Sequence, residues 1–474
     1  MVSGPESLKG KKYPAKQHAR NVLNHYKSKN PSLAQNVAFF VSGEDLELFQ
    51  YCDQTKAFRQ NRYFYYLSGV DIPGSHVLYQ SKYDKLTLYL PNIDYEDVMW
   101  SGMPLNLTEA QGQFDVDEVK YVKDMETDLK SARDEFTVHT TDVNSRNEKF
   151  TSQVTVGDKD FFYALDEARL IKDEYEIELM KHAAQITDNC HLAVMSALPI
   201  ETEETHIHAE FMYHALRQGS KQQSYDPICC SGPNCSTLHY VKNDDEIPST
   251  KKSVLIDAGA EWSCYASDVT RCFPINGDWT KEHLDIYNAV LRMQKVTMDM
   301  IKPGVSWDDL HLTAHKILIE EFLKLGIFRL EYSAQELFES KVSARFFPHG
   351  LGHLLGMDTH DVGGYPNYSD SDPLLAYLRL RRTLKKGMVL TDEPGIYFSP
   401  FLLEDTLNDE KKVKYINKDV LDKYWYIGGV RIEDDLLITE DGFENFTKIT
   451  SDPNEISKIV KAGLDKNKVF HNVV

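Results

Sequence analysis

Four acidic residues stand in segments that otherwise read as buried β-strand, and any fold for this chain has to reconcile them with an apolar interior. Asp257 follows the run Ser-Val-Leu-Ile and is followed by Ala-Gly, and Asp268 lies in Tyr-Ala-Ser-Asp-Val-Thr-Arg. Glu393 lies in Met-Val-Leu-Thr-Asp-Glu-Pro-Gly-Ile-Tyr, and Glu433 in Gly-Gly-Val-Arg-Ile-Glu-Asp-Asp-Leu-Leu-Ile. β-Branched and apolar runs favour strands, and a carboxylate carried into one loses its hydration unless something meets its charge. A tight connection near Trp262 and Ser263 would set Asp257 and Asp268 opposite each other on adjacent strands. Like charges so placed repel unless a cation or a shared proton relieves them, and a divalent metal is the economical answer. Singly, either aspartate reads as a solvated strand end, and Glu433 as the partner of Arg431 on the same strand face. Together these bland readings become improbable.

Three histidines add nitrogen donors. His349, His353 and His360 fall in Phe-Phe-Pro-His-Gly-Leu-Gly-His-Leu-Leu-Gly-Met-Asp-Thr-His-Asp-Val-Gly-Gly, a segment too rich in His and Gly for a packing element. Imidazole is the commonest metal ligand and the proton carrier of neutral pH. Gly350, Gly352 and Gly356 miss the dinucleotide spacing and no strand clearly feeds them, which rejects a nucleotide loop. Cys229, Cys230 and Cys235 cluster without a paired Cys-x-x-Cys spacing, so they read as small buried residues rather than a zinc site.

With 474 residues the chain exceeds what one core holds, since single cores stop growing at about 250 to 300 residues. Two domains are expected: residues 1–165, a smaller α/β domain with strands such as Leu86-Thr-Leu-Tyr-Leu90, whose alternation predicts half-burial, and residues 166–474. A helix begins near Asp173, with Leu179, Ala183, Ile186, Cys190, Ala193 and Ala197 on one face. From there the chain repeats an architecture. A long helix ends before Pro199, a second runs from about Thr202 to Gly219, and strands follow; then a long helix from about Thr280 ends before Pro303-Gly304, and another, opened by Ser306 with Asp309 in capping-box position, stops at Gly326. Such a duplication suggests two half-sheets meeting around a pseudo-twofold axis, with a site between them.

The net charge of -20 argues against nucleic acid and anionic membranes as partners, because both reward clustered Lys and Arg. No apolar run is long enough to span a bilayer, the opening from Met1 to Lys12 has no signal-peptide core, and seven cysteines without regular spacing fit reduced thiols. A cytosolic location is expected.

Asp257, Asp268, His353, Glu393 in Glu-Pro-Gly, and Glu433 resemble, in order and local context, the five-ligand signature of the M24 metallopeptidases. The strings His-Gly-Leu-Gly-His, His-Asp-Val-Gly-Gly-Tyr-Pro and Gly-Val-Arg-Ile-Glu-Asp are most similar to prolidase (Xaa-Pro dipeptidase) and aminopeptidase P, and Phe58-Arg-Gln-Asn-Arg-Tyr-Phe-Tyr-Tyr-Leu-Ser-Gly69 resembles part of that family's N-terminal domain. The resemblance implies an α+β chain with a C-terminal pita-bread domain, creatinase/aminopeptidase-like, that hydrolyses the bond before proline in peptides or dipeptides. It implies two divalent ions: Asp268 and Glu433 bridge them, Asp257 binds one, His353 and Glu393 the other. An oxygen-rich set with one imidazole favours manganese ahead of cobalt or zinc. By the same resemblance Glu393 shuttles the proton, His239 and His360 hold substrate and oxyanion, Arg431 orients nearby groups, His349 lines the pocket, and Arg379 grips a substrate carboxylate. Arg381 and Arg382 are its rivals for that last role. A homodimer is a further expectation by analogy.

Asp392, before Glu393, is acidic where relatives usually carry an apolar or neutral residue, and the segment from Tyr397 to Tyr426 reads as a solvent-exposed excursion. The rival classes are a non-catalytic pita-bread binding module and a metal-free creatinase-like hydrolase, both disfavoured by the intact ligand set. A methionine aminopeptidase is disfavoured by the N-terminal domain.

Overall fold

The structure, a computed structural model, describes residues 4–32, 36–141 and 154–464. The chain divides into two compact units, Gly4–Leu170 and Ile171–Val474. The first holds a six-stranded mixed sheet of β1 (Val37–Ser42), β2 (His76–Gln80), β3 (Lys85–Leu90), β4 (Glu118–Tyr121), β5 (Thr137–Thr140) and β6 (Thr155–Val156), in the order β4-β3-β2-β1-β5-β6. Antiparallel pairing joins β1, β2 and β3; β4, β5 and β6 each pair in parallel. β3 is not half-buried as its alternation predicts. Thr87 and Tyr89 are as buried as the leucines, because the second face is also covered: Tyr89 packs with Phe40, Leu78, Met125 and Leu129.

In the second unit the order of elements repeats. Helices Glu174–Ala197 and Glu204–Arg217 precede an antiparallel sheet of Ile228–Ser231, Ser253–Asp257 and Thr270–Pro274; helices Lys281–Met300 and Trp307–Leu325 precede strands Val389–Asp392, Gly395–Tyr397, Gly429–Arg431, Asp434–Ile438 and Phe443–Asn445. The half-sheets meet where the Glu433 N–H donates to the Thr270 carbonyl at 3.2 Å. Asp173 caps the first helix through a capping box. Its buried seam runs Leu179, Ala183, Ile186, Cys190 and then Val194 rather than Ala193, the drift expected of a period nearer 3.6 than 3.5.

The capping box expected at Ser306 does not form. The Trp307 N–H donates instead to the Arg382 carbonyl at 3.1 Å, and Ser306 bridges Thr383, so a neighbouring segment ties down this helix start. Nor is the Tyr397 to Tyr426 segment a bare excursion. It forms helices Pro400–Asn408, Glu410–Val413 and Lys418–Leu421, and it buries Leu403 and Leu421 on them and Ile416 between them. Cys229, Cys230 and Cys235 are free and buried. Among the described residues no helix is long and apolar enough to cross a membrane.

Candidate metal centre

The first two carboxylates arrive on one hairpin. Trp262 pairs with Tyr265, and the turn between them, Ser263-Cys264, has φ of 49° and 64°, the left-handed geometry that matches strand twist. Asp257 pairs with Thr270, which leaves Asp268 two residues nearer the turn on the same face rather than directly opposite. Gly259 allows this approach, since a Cβ there would lie 1.7 Å from the Ser267 carbonyl oxygen. The Tyr225 hydroxyl sits between the aspartates, against Asp257 Oδ1 and 2.5 Å from Asp268 Oδ1. Asp435 fixes the backbone behind, accepting from the Asp268 N–H at 3.1 Å and the Ser267 hydroxyl at 2.8 Å.

The two glutamates come from the second half-sheet, each in a break between strands. Asp392 pairs with Asp434 and Gly395 with Arg431, a register that sets Glu393 across from Glu433. Gln294, on helix Lys281–Met300, donates to the carbonyls of Asp392 at 3.2 Å and Ile432 at 3.3 Å, the residues just before each glutamate. One amide thus holds both breaks in place. The Thr270 hydroxyl donates to Glu433 Oε2 at 2.6 Å. Arg431 does not pair with Glu433; its Nη2 donates to Asp257 Oδ2 at 2.6 Å, Nη1 to the Tyr397 oxygen at 2.7 Å and Nε to Thr270 Oγ1 at 3.1 Å.

The His-Gly segment lies along Val389–Asp392: the Thr391 N–H donates to the His353 carbonyl at 2.9 Å and the Glu393 N–H to the Leu351 carbonyl at 2.7 Å. Gly352 permits the contact, because a Cβ would lie 2.0 Å from the Thr391 carbonyl oxygen. His353 Nδ1 faces the Leu354 carbonyl at 2.9 Å. A carbonyl only accepts, so Nδ1 donates to it and Nε2 is the nitrogen turned toward the carboxylates, whose pull raises His353 against its burial. That Nε2 is 3.4 Å from both Asp268 Oδ2 and Glu393 Oε1. His360 packs edge-on against His353 with ring centroids 4.4 Å apart.

Behind His360 a buried ion pair joins Lys172 Nζ to Asp361 Oδ2 at 2.7 Å, with both side chains about 1% exposed. Lys172→Met would take the ammonium away from this buried carboxylate, and removing one partner of such a pair costs about 3–5 kcal/mol. Urea denaturation of the variant is expected to read a loss of that size; unchanged stability would mean that the pair does not anchor this segment.

Four carboxylates therefore face one guanidinium. Burial, and secondarily the neighbouring Asp268 charge, push Asp257 up to about 6 against the pull of Arg431. Burial raises Glu393 to about 7, against the pull of His353. Glu433 is raised well above the carboxylate range by burial and by Asp268. Asp268 alone among the four goes down: burial pushes it up, but hydrogen bonding to His353 and Tyr225 outweighs that.

These residues line a cavity of about 720 Å³ together with Tyr225, His239, His349, His360, Arg379 and Arg431. All the expected site residues thus meet in one place. His349 Nδ1 faces the Gly350 carbonyl at 2.8 Å and Nε2 the Tyr397 hydroxyl at 2.8 Å. The proton order follows: Arg431 donates to Tyr397, Tyr397 to His349, and His349 to Gly350. Burial lowers His349 and His360 to about 3 and also lowers His239. Of the three candidate arginines only Arg379 lines the cavity, with Nη1 3.2 Å from the Tyr368 hydroxyl. Arg381 pairs with Asp308 and Asp370, and Arg382 donates to the Gly363 carbonyl. Asp392 points away from the cluster, accepting from Thr297 Oγ1 at 2.8 Å.

Ligand atoms of Asp268, His353 and Glu433 lie within 4.8 Å of one another. Glu393 joins them through His353, and Asp257 through the shared Tyr225 hydroxyl. This oxygen-rich set with one oriented imidazole fits hard divalent cations, and the upward shifts of three carboxylates show how strongly burial penalises their charge when no cation is beside them. Tyr225, Thr270, Gln294 and Tyr397 carry no distinguishing mark in the sequence; a hydroxyl or amide in an ordinary helix, strand or loop gives no local signal of what it will touch.

A sequence profile described as metallopeptidase family M24 matches residues 178–440, and one described as the aminopeptidase P N-terminal domain matches residues 18–139. An uncharacterized peptidase of Saccharomyces cerevisiae is 55% identical, over 99% of this chain and 88% of its own length. A probable Xaa-Pro aminopeptidase of Sordaria macrospora is 45% identical, over 96% of this chain and 97% of its own. Among solved structures, Pseudomonas aeruginosa aminopeptidase PepP superimposes with a TM-score of 0.80 at 27% identity, covering 96% of this chain and 100% of that one. Zinc-substituted Escherichia coli aminopeptidase P in complex with product gives 0.78 at 27% identity, covering 95% and 99%.

Proposed function

Since the chain belongs to metallopeptidase family M24, with a pita-bread unit preceded by an aminopeptidase P N-terminal domain, we propose that it is an Xaa-Pro aminopeptidase that releases the N-terminal residue from peptides with proline second. The observation that carries this is the buried convergence of Asp268, His353 and Glu433, flanked by Asp257 and Glu393 in a cavity that also holds three further histidines. The names of the relatives favour the aminopeptidase over the dipeptidase reading. A binding module has no use for such a cluster of buried carboxylates facing a single guanidinium.

Asp257, Asp268, His353, Glu393 and Glu433 would hold two divalent ions, with manganese favoured by the donor set. Bound there, such ions supply a Lewis acid for the carbonyl oxygen and make water a nucleophile near neutral pH. The protein's own groups do the rest. Glu393, whose carboxylate faces the cavity, takes the proton of the attacking water and passes it to the leaving proline nitrogen. Like any amide nitrogen, that one leaves as an amine only after gaining a proton, and Glu393 is the group placed to deliver it. His239 and His360, kept neutral by burial, position the substrate carbonyl and its developing oxyanion. Arg431 holds Asp257 and, through Tyr397, the ring of His349 on the cavity wall.

Arg379 is assigned to a substrate carboxylate. Arg379→Ala is expected to raise KM for an Xaa-Pro dipeptide about tenfold, and much less for a longer, C-terminally amidated peptide. Release of the free N-terminal amino acid is the readout. Equal effects on both substrates would remove the clamp, and failure of the wild type, loaded with Mn²⁺, to cleave any proline-second peptide would remove the proposed function.

A further inference from the structure

A second cavity of about 420 Å³ adjoins the first, and Pro348, Tyr377 and Leu402 line both. Its wall carries Lys341, Arg345 and Lys412 and no carboxylate, although acidic residues outnumber basic ones 73 to 53 in the chain as a whole. Lys341 and Lys412 are already engaged, with Asp372 at 2.8 Å and Asp409 at 3.4 Å. Arg345 has no ion pair or hydrogen bond among the described residues. Thr406 also lines the cavity. Its side chain is fully buried, and its Oγ1 finds no hydrogen-bond partner among the described residues. A buried hydroxyl left in that state costs about 1–3 kcal/mol. Arg345 thus offers a donor on the cavity wall that the fold does not use, and Thr406 Oγ1 lies unsatisfied just beneath that wall.

We propose that this cavity binds a carboxylate of the substrate downstream of the proline, either an acidic side chain or the C-terminus of a peptide longer than a dipeptide. The inference rests on the Xaa-Pro aminopeptidase reading. A dipeptide's carboxylate ends near Arg379, but a longer chain has only a neutral peptide group there and continues beyond it. Tyr377, two residues from Arg379, is shared by both cavities, which makes the second one the continuation of the first. A guanidinium facing a carboxylate forms charge-assisted bonds, while the carboxylate cluster lies in the other cavity. The paired cavities thus offer opposite signs to the two ends of a peptide.

The test uses the metal-loaded full chain and two substrate pairs, each beginning Ala-Pro. One pair has equal length and an amidated terminus, with Glu or Gln in the third or fourth position after the alanine; the other is a tetrapeptide as free acid or amide. The wild type is expected to cleave the charged member of at least one pair with kcat/KM higher by about tenfold, chiefly through KM. Which pair responds distinguishes side chain from terminus. In Arg345→Gln the charged-to-neutral ratio falls to about one, and in Thr406→Val it falls part of the way. The ratio is internal to each preparation, so partial misfolding cancels. Equal cleavage within both pairs by the wild type, or a ratio that survives Arg345→Gln, overturns this inference and leaves the peptidase reading standing. Cleavage of no member of either pair overturns the peptidase reading itself.

Discussion

Replacing Glu393 with Gln lowers kcat by about 10³-fold or more while the protein stays folded, a magnitude within the range for loss of a general acid-base group. The exchange keeps shape and volume, and the long contact from the Thr391 hydroxyl at 3.5 Å survives it. It removes the ability to carry a proton between water and the proline nitrogen and weakens one metal ligand. Structural damage predicts the opposite pattern. Neutralising one of four crowded buried carboxylates relieves repulsion, so the metal-free variant is expected to melt no lower than the metal-free wild type. Stopped assays on an Ala-Pro peptide together with thermal melts check both halves; near-normal turnover would remove Glu393 from the mechanism.

Stripping the metal makes stability fall as pH rises, whereas the loaded protein does not share that fall. Asp257 at about 6 and Glu393 at about 7 sit above the usual carboxylate range, and burial raises Glu433 well above it too. Between about pH 4 and 7 the folded metal-free state therefore holds more protons than the unfolded chain, and stability drops with pH across that window. The contribution is fully present below the unfolded pKa values and is lost through the folded ones. Asp268, shifted down, acts the other way and only in acid. The total on the alkaline side is on the order of a few kcal/mol. Cations hold the same carboxylates ionised throughout, so adding Mn²⁺ is expected to abolish the slope. Denaturation curves at pH 5 and 8 with and without chelator measure it, and parallel behaviour of the two forms would contradict the account.

The parts of this site that were legible in the sequence are those that violate a local rule. A carboxylate in a strand-like run, or three imidazoles in a Gly-rich loop, is conspicuous because nothing nearby explains it, and Asp257, Asp268, Glu393, Glu433, His349, His353 and His360 all line the one cavity. What stayed hidden depends on register and on long-range contact. The sequence placed Asp257 and Asp268 directly opposite, but the turn at Ser263-Cys264 sets them diagonally. Arg431 looked like a partner for Glu433 by strand alternation, yet it reaches across to Asp257. Gln294 sits mid-helix with nothing local to mark it, and only the packing of that helix on the second half-sheet aims it at two carbonyls. The same holds for β3, whose second buried face was invisible because a Tyr reads equally well as exposed or as core.

The central claim is that carboxylates from both half-sheets converge on paired cations. Titrating the chelator-treated protein with Mn²⁺ by calorimetry, with peptidase activity followed in parallel, tests it most directly. Two equivalents bound per chain, with activity returning as they bind, is the expected result; binding of none, or full activity in the metal-free protein, would contradict it.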